Sequence, residues 1–294
     1  MLEFFAFPGQ LPGLDARIAV AVAFTGAAAY YDIFNKRWVP NWLVYCFAAA
    51  AVAVNLLFFS EPVFFQAMLF GIAVFALTYP LYRLGQLGGA DVFVFASIAA
   101  AIPCLPTPLL APSQQIPYPF ILSVLVPTGL AFIFHMALRF IPYISKRIAC
   151  GKVRLGIAKL AGPAMVSAAF ALFVFALMQL PVSLPLSYIA TIAFLFVSLL
   201  FFSIFKDEIK ESMVEPVSIG KLQAEDVLAL EQMDGKVIKR LRLPPLICKE
   251  TISKLKAAKI RAVPVYTGMP AFLPYLFLGL LFSVLFGDLL HYIV

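Results

Sequence analysis

Long apolar runs separated by short polar links make up most of the chain. Crossing a hydrocarbon layer of ~30 Å takes about 20 helical residues, and eight runs reach that length. They cover 16–34, 41–59, 62–82, 91–110, 117–138, 160–180, 184–205 and 271–291. The pattern predicts eight transmembrane helices. The fourth is the least regular, because Pro103, Pro106 and Pro108 crowd its far end. Polar positions gather in one long segment between the seventh and eighth runs. The expected fold is therefore an all-α polytopic membrane protein with a small α+β domain before the last helix. Residues 1–205 would form the transmembrane part, 206–266 the soluble domain and 267–294 the last span. Inside the polar segment, Asp234-Gly235 predicts a hairpin turn. Residues 249–259, with Ile252 and Leu255 on one face, predict a short helix.

Composition narrows the class further. Of 294 residues, 63% are apolar and only 13% charged, against roughly half and a quarter in soluble domains. A water-soluble single-core protein and a disordered chain are both excluded; the lipid bilayer is the expected surrounding. The formal charge of +7 does not indicate nucleic acid, because its placement follows the membrane. With the N-terminus outside, every Lys and Arg except Arg17 falls on one side, the polar segment's included. The positive-inside rule then makes that side cytoplasmic and puts both termini outside. The four cysteines form no C-x-x-C pair, so neither a zinc site nor any other cofactor is expected.

Water accounts for most of the carboxylates, which lie in the polar segment or in outer links. Asp32 and Asp91 remain. Asp32 closes the first run, in Tyr30-Tyr31-Asp32-Ile33-Phe34, and Asp91 opens the fourth, in Gly88-Gly89-Ala90-Asp91. The first span runs inward and the fourth outward, so both fall near the cytoplasmic face. Ionisable groups at membrane depth cost several kcal/mol unless paired or solvated, which makes each a candidate site residue. Each also has a plainer reading. Asp91 suits a helix start, and Asp32 stands four residues before Lys36 as an interfacial ion pair. As a pair they have a chemistry: two close carboxylates share one proton. The charged one takes a proton from water attacking a peptide carbonyl, and the protonated one polarises that carbonyl and gives a proton to the leaving nitrogen. Gly88 and Gly89 would let backbone approach a substrate strand.

The same residues carry a family resemblance. Asp32-Ile33-Phe34-Asn35-Lys36-Arg37-Trp38-Val39-Pro40-Asn41 resembles the first-aspartate motif of type IV prepilin peptidases. Gly88-Gly89-Ala90-Asp91 resembles their second, Gly-x-Gly-Asp, with Ala90 in the third place. The lack of C-x-x-C pairs is similar to the archaeal preflagellin branch, which implies cleavage without N-methylation. The resemblance implies Asp32 and Asp91 as catalytic residues and Gly88 and Gly89 as motif support. It also implies, as partners, pilin or archaellin precursors with class III signal peptides. Two other readings stay open: a presenilin or signal-peptide-peptidase relative, and a proton-coupled transporter using the two aspartates as a relay. Met269-Pro270-Ala271-Phe272-Leu273-Pro274 is faintly similar to the Pro-Ala-Leu-Pro element of the presenilin-like proteases.

Overall fold

The structure, a computed structural model, describes residues 11–35, 38–110, 119–151, 157–178, 186–222, 226–241, 243–258, 260–267 and 270–289. The chain divides into two compact units, 1–129 with 214–289, and 130–213 with 290–294.

In the first unit α1 (Leu14–Phe34), α2 (Asn41–Leu57), α3 (Glu61–Arg83), α4 (Gly89–Ala101) and α11 (Leu273–Phe286) form a helical bundle. α4 lies at its centre, against α1, α2 and α3, while α11 packs on α1. Val94, Phe95, Ile98 and Ala99 of α4 are buried with Phe47 of α2 and Leu276 and Leu280 of α11. Small residues let backbones approach, as in membrane bundles. A Cβ on Gly71 of α3 would lie 3.0 Å from Ala100 Cβ, and one on Gly279 of α11 would collide with Thr128. The outer faces are apolar and uncovered: Leu57, Leu69, Ile72 and Leu77 are all more than half exposed. An apolar surface of that extent belongs against lipid.

Among the described residues three helices are long and apolar enough to cross a membrane: α1, α3 and α5 (Phe120–Ala149). A fourth is added if a bent pair in the second unit counts as one span. The remaining expected runs fall on shorter apolar helices, α2, α4, α11 and the described part of α6 (Ile157–Met178). The fourth run departs most from expectation, since α4 stops at Ala101 rather than near residue 110. Its 13 residues span only about 20 Å at 1.5 Å per residue. Ile102, kept out of the helical conformation by the following Pro103, ends the helix with φ −127° and ψ 85°. From Pro103 to Leu110 the chain is not helical, and it seals the end of α11: Leu109 and Leu110 donate to Val284 and Leu285 carbonyls at 3.2 and 2.8 Å.

The carbonyls exposed by the early end of α4 are met by buried side chains. Arg17, fully buried on α1, donates through Nη1 to Ala101 O at 2.9 Å and to Asn55 Oδ1 at 2.8 Å. Its Nε donates to Pro12 O at 2.8 Å. Asn55 of α2 in turn donates to Ala100 O at 2.9 Å and Ala51 O at 2.7 Å. A helix ending inside an apolar layer needs such donors, because water is not there to serve. Arg17, the one basic residue that the sequence pattern puts on the outer side, caps the end of α4.

The polar segment of this unit forms a small module. β1 (Val214–Ser218) and β2 (Ala262–Tyr266) pair antiparallel, with Val217 opposite Val263. Val263 and Val265 point inward with Leu228, Leu243, Ile247 and Leu255. The predicted short helix is present as α10 (Lys249–Ala257). The hairpin predicted at Asp234-Gly235 is not: these residues open α9 (Gly235–Leu241). Asp234 O accepts from the amides of Val237 and Ile238 at 2.9 and 3.1 Å. Val237 and Leu241, one helical turn apart, face the module core; that spacing suits a helix and not a strand.

In the second unit α6 packs on α7 (Leu186–Ile204), with the rings of Phe170 and Phe196 stacked 3.9 Å apart. The chain bends by 69° between α7 and α8 (Lys206–Met213). Arg147, near the end of α5, bonds Glu211 of α8 at 2.7 Å.

Candidate functional site

Asp32 occupies the last turn of α1 and is buried. Its Oδ2 accepts a hydrogen bond from the backbone N–H of Leu273 at 3.1 Å. Leu273 is the first residue of α11, so the bond joins a carboxylate to a helix N-terminus, where backbone donors and the helix dipole favour negative charge. Asp91 stands at the third position of α4 and is partly exposed. Its Oδ2 accepts from the N–H of Gly88 at 2.9 Å, folding back onto the residue before the helix. Both aspartates thus sit against helix N-termini, one on a neighbouring helix and one on its own.

The two carboxylates are brought within Coulombic range of each other. Packing explains how. α1 and α4 are in direct contact, and α11 ties them together at this level. Phe272, the residue before Leu273, stacks on Phe95 of α4 with ring centroids 5.6 Å apart. Phe95 lies one turn beyond Asp91. The start of α11 therefore holds Asp32 by its backbone and the Asp91 helix by a ring.

Gly88 has an ordinary backbone conformation, φ −72° and ψ 152°, so positive φ is not the reason for glycine here. Space is: a Cβ at this position would lie 3.1 Å from Asp91 Oδ2. Gly88 is exposed, and Gly89 is the first residue of α4. The plainer reading of Asp91 as a helix-start residue is met in part, as its carboxylate does satisfy a terminal amide. For Asp32 the corresponding partner, Lys36, lies outside the described residues together with Arg37. The rest of that motif forms the tight link to α2. Asn35 Nδ2 donates to Trp38 O at 2.8 Å, and Pro40 precedes the first residue of α2, Asn41.

In the sequence Phe272 and Leu273 stand out only within the 269–274 element, with no role at the aspartates. The available signal was the pair of prolines, Pro270 and Pro274, bracketing the entry to the last helix.

A helical membrane protein with paired aspartates at abutting helix ends is the class that fold and site define. Residues 19–134 match the type IV leader peptidase family, a stretch containing Asp32, Gly88, Gly89 and Asp91. Over that stretch the chain is prepilin-peptidase-like, and the matched family is one of peptidases. No curated protein and no solved structure matches the chain.

Proposed function

We propose that this protein is a membrane aspartic endopeptidase. It removes short basic leaders from archaellin-like or type IV pilin-like precursors, at the cytoplasmic boundary and without N-methylation. The observation that carries the reading is the juxtaposition of Asp32 and Asp91, within the family-matched stretch, at the abutting ends of α1, α4 and α11. In this reading eight spans cross the membrane, both termini are outside, and residues 206–266 are cytoplasmic. The precursor presents its leader on the basic-residue side and its apolar helix to the bilayer, so the scissile bond comes to the depth of the two aspartates.

Chemically the pair divides the work. One carboxylate is charged and takes a proton from the attacking water; the other is protonated and hydrogen-bonds the carbonyl oxygen. The second then gives its proton to the leaving nitrogen, and the pair is restored with the proton exchanged between them. The Leu273 amide keeps Asp32 oriented through both half-reactions. As a residue Asp91 is the less buried of the two.

A second reading, a presenilin-like protease, draws on one observation. The Leu273 bond to Asp32 falls within the Pro270–Pro274 element that resembles theirs. Membranes holding the protein are incubated with a prepilin-type precursor and with a signal-peptide remnant, and the expected result is shortening of the first alone. Asp32→Asn and Asp91→Asn should each abolish it at normal expression; cleavage surviving in either removes the dyad.

A further inference from the structure

The link carrying Asp91 into place begins at Gly85. α3 ends there in a closed turn: Gly85 N–H bonds Tyr82 O at 2.8 Å and Gln86 N–H bonds Leu81 O at 2.9 Å. Gly85 has φ +71°, the left-handed conformation that such a helix end demands and glycine adopts freely. Three positions on, Gly88 holds the Asp91 carboxylate. Leu84, Gln86 and Gly88 are exposed, so the link is thinly packed on that side.

One residue of the 214–266 module packs onto this turn. A Cβ on Gly85 would lie 3.0 Å from Cγ1 and 3.4 Å from Cγ2 of Val227. Val227 is rigidly mounted. It bridges to Leu246, its carbonyl accepts the Tyr266 amide at 2.9 Å, and the next residue, Leu228, is buried and bridges to Val265. The same sheet leads to the other aspartate. β2 ends at Tyr266, and seven residues later the Leu273 amide bonds Asp32. One small folded unit therefore touches the turn before Asp91 and is joined by a short link to the donor that holds Asp32.

We propose that the 214–266 module is a positioning element for the aspartate pair, with Val227, wedged on Gly85, as the residue that fixes the Asp91 link. The inference rests on the reading of Asp32 and Asp91 as the dyad. Val227 touches no reacting atom; it acts by denying the turn other conformations. Misplacement of a catalytic group by about 1 Å can cost up to a hundredfold in rate, so a modest apolar contact has a large lever here.

The test uses the full chain in liposomes with a precursor bearing a basic leader, kcat and KM being measured on matched amounts of monodisperse protein. Val227→Ala should lower kcat about tenfold with KM within twofold. Gly85→Asn, a residue that tolerates the left-handed turn but thrusts a Cβ at Val227, should lower kcat at least as far. The double variant should be no slower than Gly85→Asn alone, because the smaller side chain makes room for the new Cβ. Residues in contact couple in this way, whereas independent ones add. A Val227→Ala enzyme with wild-type kcat, a loss confined to KM, or additive losses in the double variant would overturn the proposal. Asp32→Asn run alongside separates the two claims: its retained activity refutes the dyad, while its inactivity with a normal Val227→Ala enzyme refutes only the positioning role.

Discussion

Replacing Arg17 by methionine tests how the short central helix is held. The guanidinium is fully buried and makes three hydrogen bonds, to Pro12 O, Asn55 Oδ1 and Ala101 O. Methionine fills much of the same volume but donates nothing. Pro12 is partly exposed and can find another partner, which leaves two buried acceptors stranded. Each costs about 1–3 kcal/mol when its donor is removed. Against this stands relief from burying a charge, worth several kcal/mol in principle. That relief is reduced here because three oxygens, one at the negative end of α4, already solvate the cation. The net expected loss is about 3 kcal/mol. By the size scaling of soluble proteins, 1 kcal/mol shifts a midpoint by roughly 1.5–2 °C at this chain length, so the midpoint in detergent should fall by roughly 5 °C. Arg17→Lys, which keeps the charge but loses the fork, should fall by about half as much. The assay is thermal unfolding of purified protein followed by tryptophan emission, with Trp38 and Trp42 as reporters at the α1–α2 link. A methionine variant melting within a degree of the wild type would refute the capping role, and so would a lysine variant worse than methionine.

Gly88→Ala should reduce leader removal about tenfold, equivalent to about 1.4 kcal/mol, with an unchanged melting midpoint. The new Cβ, 3.1 Å from Asp91 Oδ2, displaces the carboxylate without entering a core, and a variant with full activity would show that the fold-back of Asp91 is dispensable. Cys248 tests the proposed sidedness. It is exposed ahead of α10, and its bond with Thr251 (Sγ to Oγ1, 3.0 Å) holds the thiol below its ordinary range. A membrane-impermeant maleimide should label it in inside-out vesicles and spare it in right-side-out ones, and the reverse pattern would invert the topology. Because the thiolate is the reactive form, Thr251→Val should raise the pH at which labelling becomes fast; an unchanged pH profile would dismiss the hydrogen bond's effect.

Several features were legible in the sequence because they depend on local physics. Apolar length marked the helices, so α1, α2 and α3 begin and end within a few residues of their expected bounds. The scarcity of charge singled out Asp32 and Asp91, since carboxylates at membrane depth are costly wherever the chain goes. Other features failed for equally local reasons. The fourth run was read by its hydropathy as far as residue 110, although its prolines end the helix at Ala101. Asp234-Gly235 has the look of a turn between strands, although Val237, Ile238 and Leu241 beyond it have the spacing of a helix.

By itself the sequence determined that this chain is a helical membrane protein, and that two aspartates lie where carboxylates are rare. Periodicity, apolar length and charge placement are properties of neighbouring residues, and they survive without a fold. Tertiary structure alone decided what those residues touch. Arg17 and Ala101 are far apart in sequence, as are Asp32 and Leu273 or Gly85 and Val227. Each pair meets because helices of different length close around α4, and buried charges, broken helix ends and tight turns must then find donors or neighbours wherever packing brings them.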